Sequence, residues 1–227
     1  QRALGHHPDG GGIMKKLLIL SGKGGTGKTT TAAAFIRFAD ARAYADCDVD
    51  APNLHIVSGR TDTPETNDFM GSQKAEINPA ACIGCGKCLK ACRFDAIHKE
   101  GSVYAVNEFA CEGCGVCAYV CPTGAAALHD DVAGQVMLYR GDSVFATAEL
   151  TMGRGNSGKL VSEVKSTLAQ AAPSADLAII DGSPGIGCPV IASMSGVDLV
   201  LIVTEPSVSG ISDMERILQT AAVFRTK

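Results

Sequence analysis

Apolar residues along the chain gather into short runs separated by loops rich in glycine and aspartate. Lys16 to Leu20 (KLLIL) is an unbroken apolar run that ends on a glycine-rich loop, the pattern of a parallel strand buried on both faces. Thr29 to Ala39 follows with helical composition and spacing, and Ala43 to Asp46 predicts a second strand that ends in the acidic segment DCDVDAPN. From about Thr61 to Asn78 the pattern turns polar and irregular. A block of cysteines comes next. Beyond Cys121, the alternation in HDDVAGQVMLYRGDSVFATAEL predicts a hairpin turning at Gly141-Asp142. Leu160 to Ala171 predicts an amphipathic helix stopped by Pro173. Leu177 to Ile180 predicts a strand running into DGSPGIG, Leu199 to Val203 one running into TEPS, and Ser209 to Phe224 the last helix. Strands alternating with helices give an α/β fold with a parallel sheet. The cysteine block interrupts it, so residues 14–67 and 130–227 are assigned to the α/β domain and 68–129 to an inserted module.

The cysteines change the picture most. Eight of the ten lie between Cys82 and Cys121, within two copies of one unit, INPAACIGCGKCLKAC and VNEFACEGCGVCAYVC. Cys82-x2-Cys85-x2-Cys88-x3-Cys92 and Cys111-x2-Cys114-x2-Cys117-x3-Cys121-Pro122 each repeat the bacterial ferredoxin run. Three cysteines in a tight loop wrap one corner of a cubane, and the fourth, on the next helical turn, points to the other cluster. Cys82, Cys85, Cys88 and Cys121 are therefore expected to hold one [4Fe–4S] cluster, and Cys111, Cys114, Cys117 and Cys92 the other. Gly84, Gly86, Gly113 and Gly115 suit a backbone that bends around each cluster. The first run ends Cys92-Arg93 where the second has Cys-Pro. Zinc also uses C-x2-C pairs, but pairs of thiolates leave the triplet-plus-one spacing unexplained.

Composition adds limits. The chain has 227 residues, 46% hydrophobic and 19% charged, with a formal net charge of -4 and no Trp. This argues against a nucleic-acid surface, and no apolar run approaches the ~18 residues that span a bilayer. No signal peptide is evident, so the cysteines read as ligands in a reducing, cytoplasmic setting and not as a disulfide framework. Residues 1–13, with His6 and His7, read as a tag-like extension or expression remnant ahead of Met14.

The glycine-rich loop carries the second chemistry. Gly22-Lys23-Gly24-Gly25-Thr26-Gly27-Lys28-Thr29, followed by Thr30, fits G-x-x-x-x-G-K-[ST] between a predicted strand and helix. Backbone N–H groups and a helix N-terminus would cradle phosphates, Lys28 would meet the β/γ-phosphates, and the Thr29 hydroxyl would sit on Mg²⁺. Gly153 to Lys159 (GRGNSGK) also spells the first seven positions, but Leu160 stands where Ser or Thr is needed, so it reads as a flexible loop. Asp46, Asp48, Asp50 and Asp181 follow strands, where carboxylates hold Mg²⁺ waters and orient the attacking water. Asp50 reads equally well as a solvated loop acid. Cys47 lies among acids that would raise its thiol pKa, and Cys188 reads as a buried thiol in preference to a position that communicates with a cluster.

SGKGGTGKTT resembles the deviant Walker A motif, KGGxGK[ST], of the MinD/ParA/Mrp group of P-loop ATPases, which includes the nitrogenase iron protein. DCDVDAPN resembles the group's switch I and DGSPGIG its switch II, and the whole chain after Met14 resembles members with an inserted ferredoxin domain. The resemblance implies a homodimer in which Lys23 reaches the partner's nucleotide. Asp48 would then position the hydrolytic water, while Asp46 and Asp181 support the Mg²⁺ shell. It also implies coupling of ATP state to the clusters, for electron transfer to a redox partner or for assembly and transfer of iron–sulfur clusters to a client. A positioning ATPase of the MinD/ParA type stays open, as does a ferredoxin-type carrier with ATP as structural ligand. No Asn-Lys-x-Asp-like segment for adenine follows the last helix, so a longer chain is expected.

Overall fold

In a computed structural model the described residues are 14–224 and 226–227; the extension expected over residues 1–13 lies outside them. Along the chain the elements are β1 (Lys15–Leu20), α1 (Lys28–Phe38), β2 (Ala43–Asp46), α2 (Leu54–Val57), β3 (Glu65–Met70) and β4 (Lys74–Ile77). Then come α3 (Lys87–Ala91), β5 (Ile97–Glu100), β6 (Val103–Val106), α4 (Val116–Val120), β7 (Ala126–His129), β8 (Val132–Tyr139) and β9 (Val144–Leu150). The chain closes with α5 (Ser157–Ala171), β10 (Leu177–Asp181), α6 (Cys188–Met194), β11 (Leu199–Ile202) and α7 (Val208–Val223). They fall into two compact units, the first within residues 14–66, 136–148 and 157–227, the second of 67–135 and 149–156.

The seven-stranded sheet has the order β11-β1-β10-β2-β9-β8-β3. The pairs β1–β10, β1–β11, β10–β2 and β2–β9 are all parallel. The α/β, mostly parallel expectation is met. β1 lies inside the sheet, and its Leu18, Ile19 and Leu20 are fully buried, as its unbroken apolar run requires. On α5, Leu160, Val161, Val164 and Leu168 form the buried stripe that its helical spacing encodes. Tyr44 stacks on Phe145 with ring centroids 5.0 Å apart, and the Arg60 guanidinium lies over the rings of Tyr44 and Tyr139 and donates to the Tyr44 hydroxyl at 2.8 Å.

The second unit is built on the sequence repeat. β4 pairs with β7 and β5 with β6, both antiparallel, and α3 and α4 each follow a cysteine triplet. This unit reaches beyond residues 68–129. Arg154 ion-pairs with Glu108 (2.7 Å) and Asp131 (3.0 Å), and Asn156 donates to Ser72 at 2.9 Å, which ties residues 149–156 into it. The polar, irregular stretch Thr61 to Asn78 contains β3 and β4. One expectation needs correction: the GRGNSGK segment is a loop only up to Asn156, because α5 starts at Ser157.

Candidate nucleotide and cluster sites

The phosphate loop runs from the end of β1 to the start of α1, with Gly25 (φ 79°) and Gly27 (φ 89°) in left-handed conformations that a Cβ would strain. It borders an open cavity enclosing about 1160 Å³ of empty space. Gly24, Gly25, Gly27, Lys28, Thr29 and Thr30 line one side, and Asp48, Asp50, Asn53, Ser183, Pro184 and Pro189 the other. Lys28 is buried and donates to the fully buried Asp181 Oδ1 at 2.6 Å. Asp181 Oδ2 and the Thr26 hydroxyl are buried with no protein partner. Buried polar atoms without partners are rare, and here they belong to the loop and to the acid expected on Mg²⁺. The donor set fits a metal–nucleotide ligand.

The acids divide by environment. Asp48 lines the cavity, and burial pushes its carboxyl up to about 6, with Lys28 opposing and Asp46, Asp181 and Asp50 adding to the rise. Asp46 is fully buried below the loop. Its Oδ1 accepts from the Asp48 N–H, and its Oδ2 from the N–H groups of Asn53 and Leu54, each at 2.9 Å. Burial and the Asp181 charge raise the Asp46 pKa while those N–H groups lower it. The geometry makes Asp46 the post around which the Asp48–Leu54 loop is wound. Lys23 pairs with Glu205 of the same chain at 2.7 Å.

Of the other two cysteines, Cys47 meets expectation and Cys188 does not. Cys47 is fully buried, and burial, more than its acidic neighbours, pushes its thiol up to about 12. Cys188 is exposed at the start of α6, which corrects the reading of it as buried. Sequence reasoning missed Lys165, whose ammonium donates to the carbonyls of Ala192, Ser193 and Ser195 at 2.9, 2.7 and 2.5 Å and so caps the C-terminal end of α6.

In the second unit the eight cysteines sort into two foursomes. Cys82, Cys85, Cys88 and Cys121 line one small cavity, and Cys92, Cys111, Cys114 and Cys117 line another, with about 310 and 340 Å³ of empty space. Each draws its fourth cysteine from the other repeat. N–H groups already face the sulfurs: Ala75 and Gly113 each donate to Cys111 Sγ at 3.4 Å. The Ala126 N–H leads the groups that pull the Cys121 thiol down to about 7, toward the thiolate that ligates metal, while burial raises Cys88 and Cys117. Among the described residues no three His, Cys, Asp or Glu side chains stand close enough for one metal ion.

Residues 75–128 match the family model of the 4Fe-4S dicluster domain. The chain is also 35% identical over 221 residues to an uncharacterized protein of Methanocaldococcus jannaschii, MJ0578, covering 95% of this chain and 76% of that one. The chain belongs to the MJ0578 family. A second protein of the same organism, MJ0579, is 29% identical over 213 residues, or 91% of this chain and 75% of its own length. Similar solved structures include the septum site-determining protein MinD of Pyrococcus horikoshii complexed with Mg-ADP, at 18% identity and TM-score 0.45. That match covers 92% of this chain and 66% of MinD. Another is Cyanothece McdA in complex with ATP, at 17% identity and TM-score 0.45, covering 94% and 65%. Sheet order and phosphate loop give this MJ0578-family protein a P-loop α/β fold, with a 4Fe–4S dicluster domain inserted in it.

Proposed function

We propose that the protein is a Mg-ATP-hydrolysing homodimer of the cytoplasm that couples its nucleotide state to electron transfer through two [4Fe–4S] clusters. The observation that carries the nucleotide half is the buried Lys28–Asp181 pair at the floor of the loop-lined cavity, with Asp181 Oδ2 left without a partner. Lys28 would turn from Asp181 to a phosphate, and Asp181 and Thr29 would hold Mg²⁺. Asp48, on the cavity wall, would orient the attacking water, and Asp46 holds its loop in position. Lys23 leaves Glu205 to reach the nucleotide of a second copy. Bound Mg²⁺ supplies charge neutralisation for the phosphates.

Each foursome supplies four protein thiolates and needs no outside ligand, which favours retained clusters for electron transfer over clusters passed to a client. Ten free thiols support a reducing compartment. Among the described residues no helix is long and apolar enough to cross a membrane.

The test is anaerobic protein with both clusters loaded, followed by EPR and a potentiometric titration with and without Mg-ATP, in the wild type and in Asp48→Asn. Coupling requires that Mg-ATP move a cluster signal or potential, and that Asp48→Asn hold the shifted state without turnover. Identical spectra and potentials in all four samples sink the proposal. Transfer of labelled iron from the protein to an apo-ferredoxin faster than the cluster's own decay would favour cluster delivery instead.

A further inference from the structure

The two halves of the dicluster unit are near copies, which makes each the control for the other. Alignment of Cys82 with Cys111 places Asn78 opposite Asn107 and Ile77 opposite Val106. The contacts repeat as well. Asn78 Oδ1 accepts from the Ala80 N–H as Asn107 Oδ1 accepts from the Phe109 N–H, both at 3.0 Å. A Cβ added at Gly84 would overlap the Ser102 carbonyl oxygen, and one at Gly113 would overlap that of Gln73, the aligned residue. Each triplet loop thus sits against the residue just ahead of the strand that leads into the other repeat. The next position breaks the symmetry in buried charge. The residue after Gln73 is Lys74, whereas the residue after Ser102 is Val103.

Lys74 is 7% exposed and donates from Nζ to the carbonyl of Cys111 at 2.6 Å. Among the described residues no carboxylate lies within ion-pair reach of it. A buried cation without a counter-ion is costly. Beyond Glu108, which Arg154 already holds, the anion its surroundings would offer is the group held by the thiolates of Cys111, Cys114, Cys117 and Cys92, which are net negative with their iron and sulfide and gain one more negative charge on reduction. From this geometry we infer that Lys74 sets the direction of electron flow inside the unit, by stabilising the reduced state at the Cys111 foursome and not at the Cys82 foursome. One electron leaves the reduced group at Cys82, Cys85, Cys88 and Cys121, which is oxidised. It reduces the oxidised group at the other foursome, with no proton transferred.

Competing charges are weaker. Lys87 borders the Cys82 foursome and Glu112 the Cys111 foursome, but both are exposed and screened by water. The fully exposed Glu108 feels Lys74 but is bound by Arg154. The Thr123 hydroxyl lies 3.7 Å from Cys121 Sγ, yet its single proton goes to the Ala81 carbonyl at 2.9 Å. The buried charge therefore dominates the difference between the halves.

This inference rests on the proposal that both foursomes carry [4Fe–4S], so iron and sulfide content and EPR of the reduced full-length protein come first; failure there is failure of that reading. With both clusters present, a potentiometric titration followed by EPR and visible absorbance is run on wild type, Lys74→Val, Lys74→Arg and Val103→Lys. Wild type should show two waves that favour reduction of one cluster over the other by tenfold or more, 59 mV or more for one electron. Lys74→Val copies its twin position, so the upper wave should fall toward the lower one. Lys74→Arg, which keeps the charge, should preserve the gap. Val103→Lys should raise the lower wave. Wild-type waves at equal potential, or a gap that survives Lys74→Val with both clusters loaded, overturn the inference, and the wild-type result is decisive even if a variant fails to load.

Discussion

Replacing Lys28 with methionine should damage the fold as well as nucleotide binding. Lys28 Nζ lies 2.6 Å from Asp181 Oδ1, Asp181 is fully buried, and its second oxygen already lacks a partner. Removing the ammonium leaves a buried carboxylate with neither oxygen paired and the Asp46 charge nearby. Breaking one side of such a pair costs about 3–5 kcal/mol, which for a unit of this size lowers Tm by about 10 °C or more. Asp181→Asn alone should cost less, because the Lys28 side chain can swing its charge into the open cavity. The double variant Lys28→Met/Asp181→Asn should be more stable than Lys28→Met. The assay is hydrogen exchange of β10 peptides alongside thermal unfolding followed by circular dichroism, with nucleotide absent and metals chelated. A Lys28→Met protein within about 1 kcal/mol of wild type, or a double variant that loses the sum of the single losses, would show that the pair does not hold this site together. A practical point follows. Lys28 variants confound loss of ATP with loss of structure, so Asp48→Asn is the cleaner probe of coupling.

Asp48 also gives a pH signature. Its folded pKa is raised to about 6, so the native state binds a proton more tightly than the unfolded chain. Stability from this group is present below its unfolded pKa and is lost as pH rises through about 6. Asp48→Asn should therefore gain about 1 kcal/mol at pH 7.5, after allowance for solvent screening, and about half of that at pH 5, while losing ATP hydrolysis. Urea melts at the two pH values check the sign. In native holoprotein Cys188 should react with iodoacetamide at pH 8, and Cys47, buried and pushed up to about 12, only after unfolding; mass mapping of a labelled Cys47 in folded protein would contradict its placement. Gly113→Ala forces a Cβ into the Gln73 carbonyl, so iron content should drop, whereas Gly101→Ala, which shares the left-handed strain at φ 62° but meets open space, should still load.

The parallel strands were legible because each is a local apolar run, and the phosphate loop and cysteine triplets because their chemistry fixes their spacing. β3 was not, since only Phe69 of its six residues is buried and no alternation marks it. α6 was not anticipated, although Pro189 at its first turn is a helix-start signal. The exposure of Cys188 and the role of Asp46 depend on how the loops after β10 and β2 fold back, which no local pattern records. Lys74 sat unnoticed in a polar stretch; superimposing the two repeats a few residues further upstream would have singled it out against Val103.

The glycine contacts in the dicluster unit have a wider consequence. Gly84 lies against Ser102, Gly113 against Gln73, and each foursome borrows its last cysteine from the opposite repeat. Neither repeat can close around its iron alone, because its walls belong to its sibling. Loading should thus be all-or-none, with half-filled molecules scarce under iron limitation.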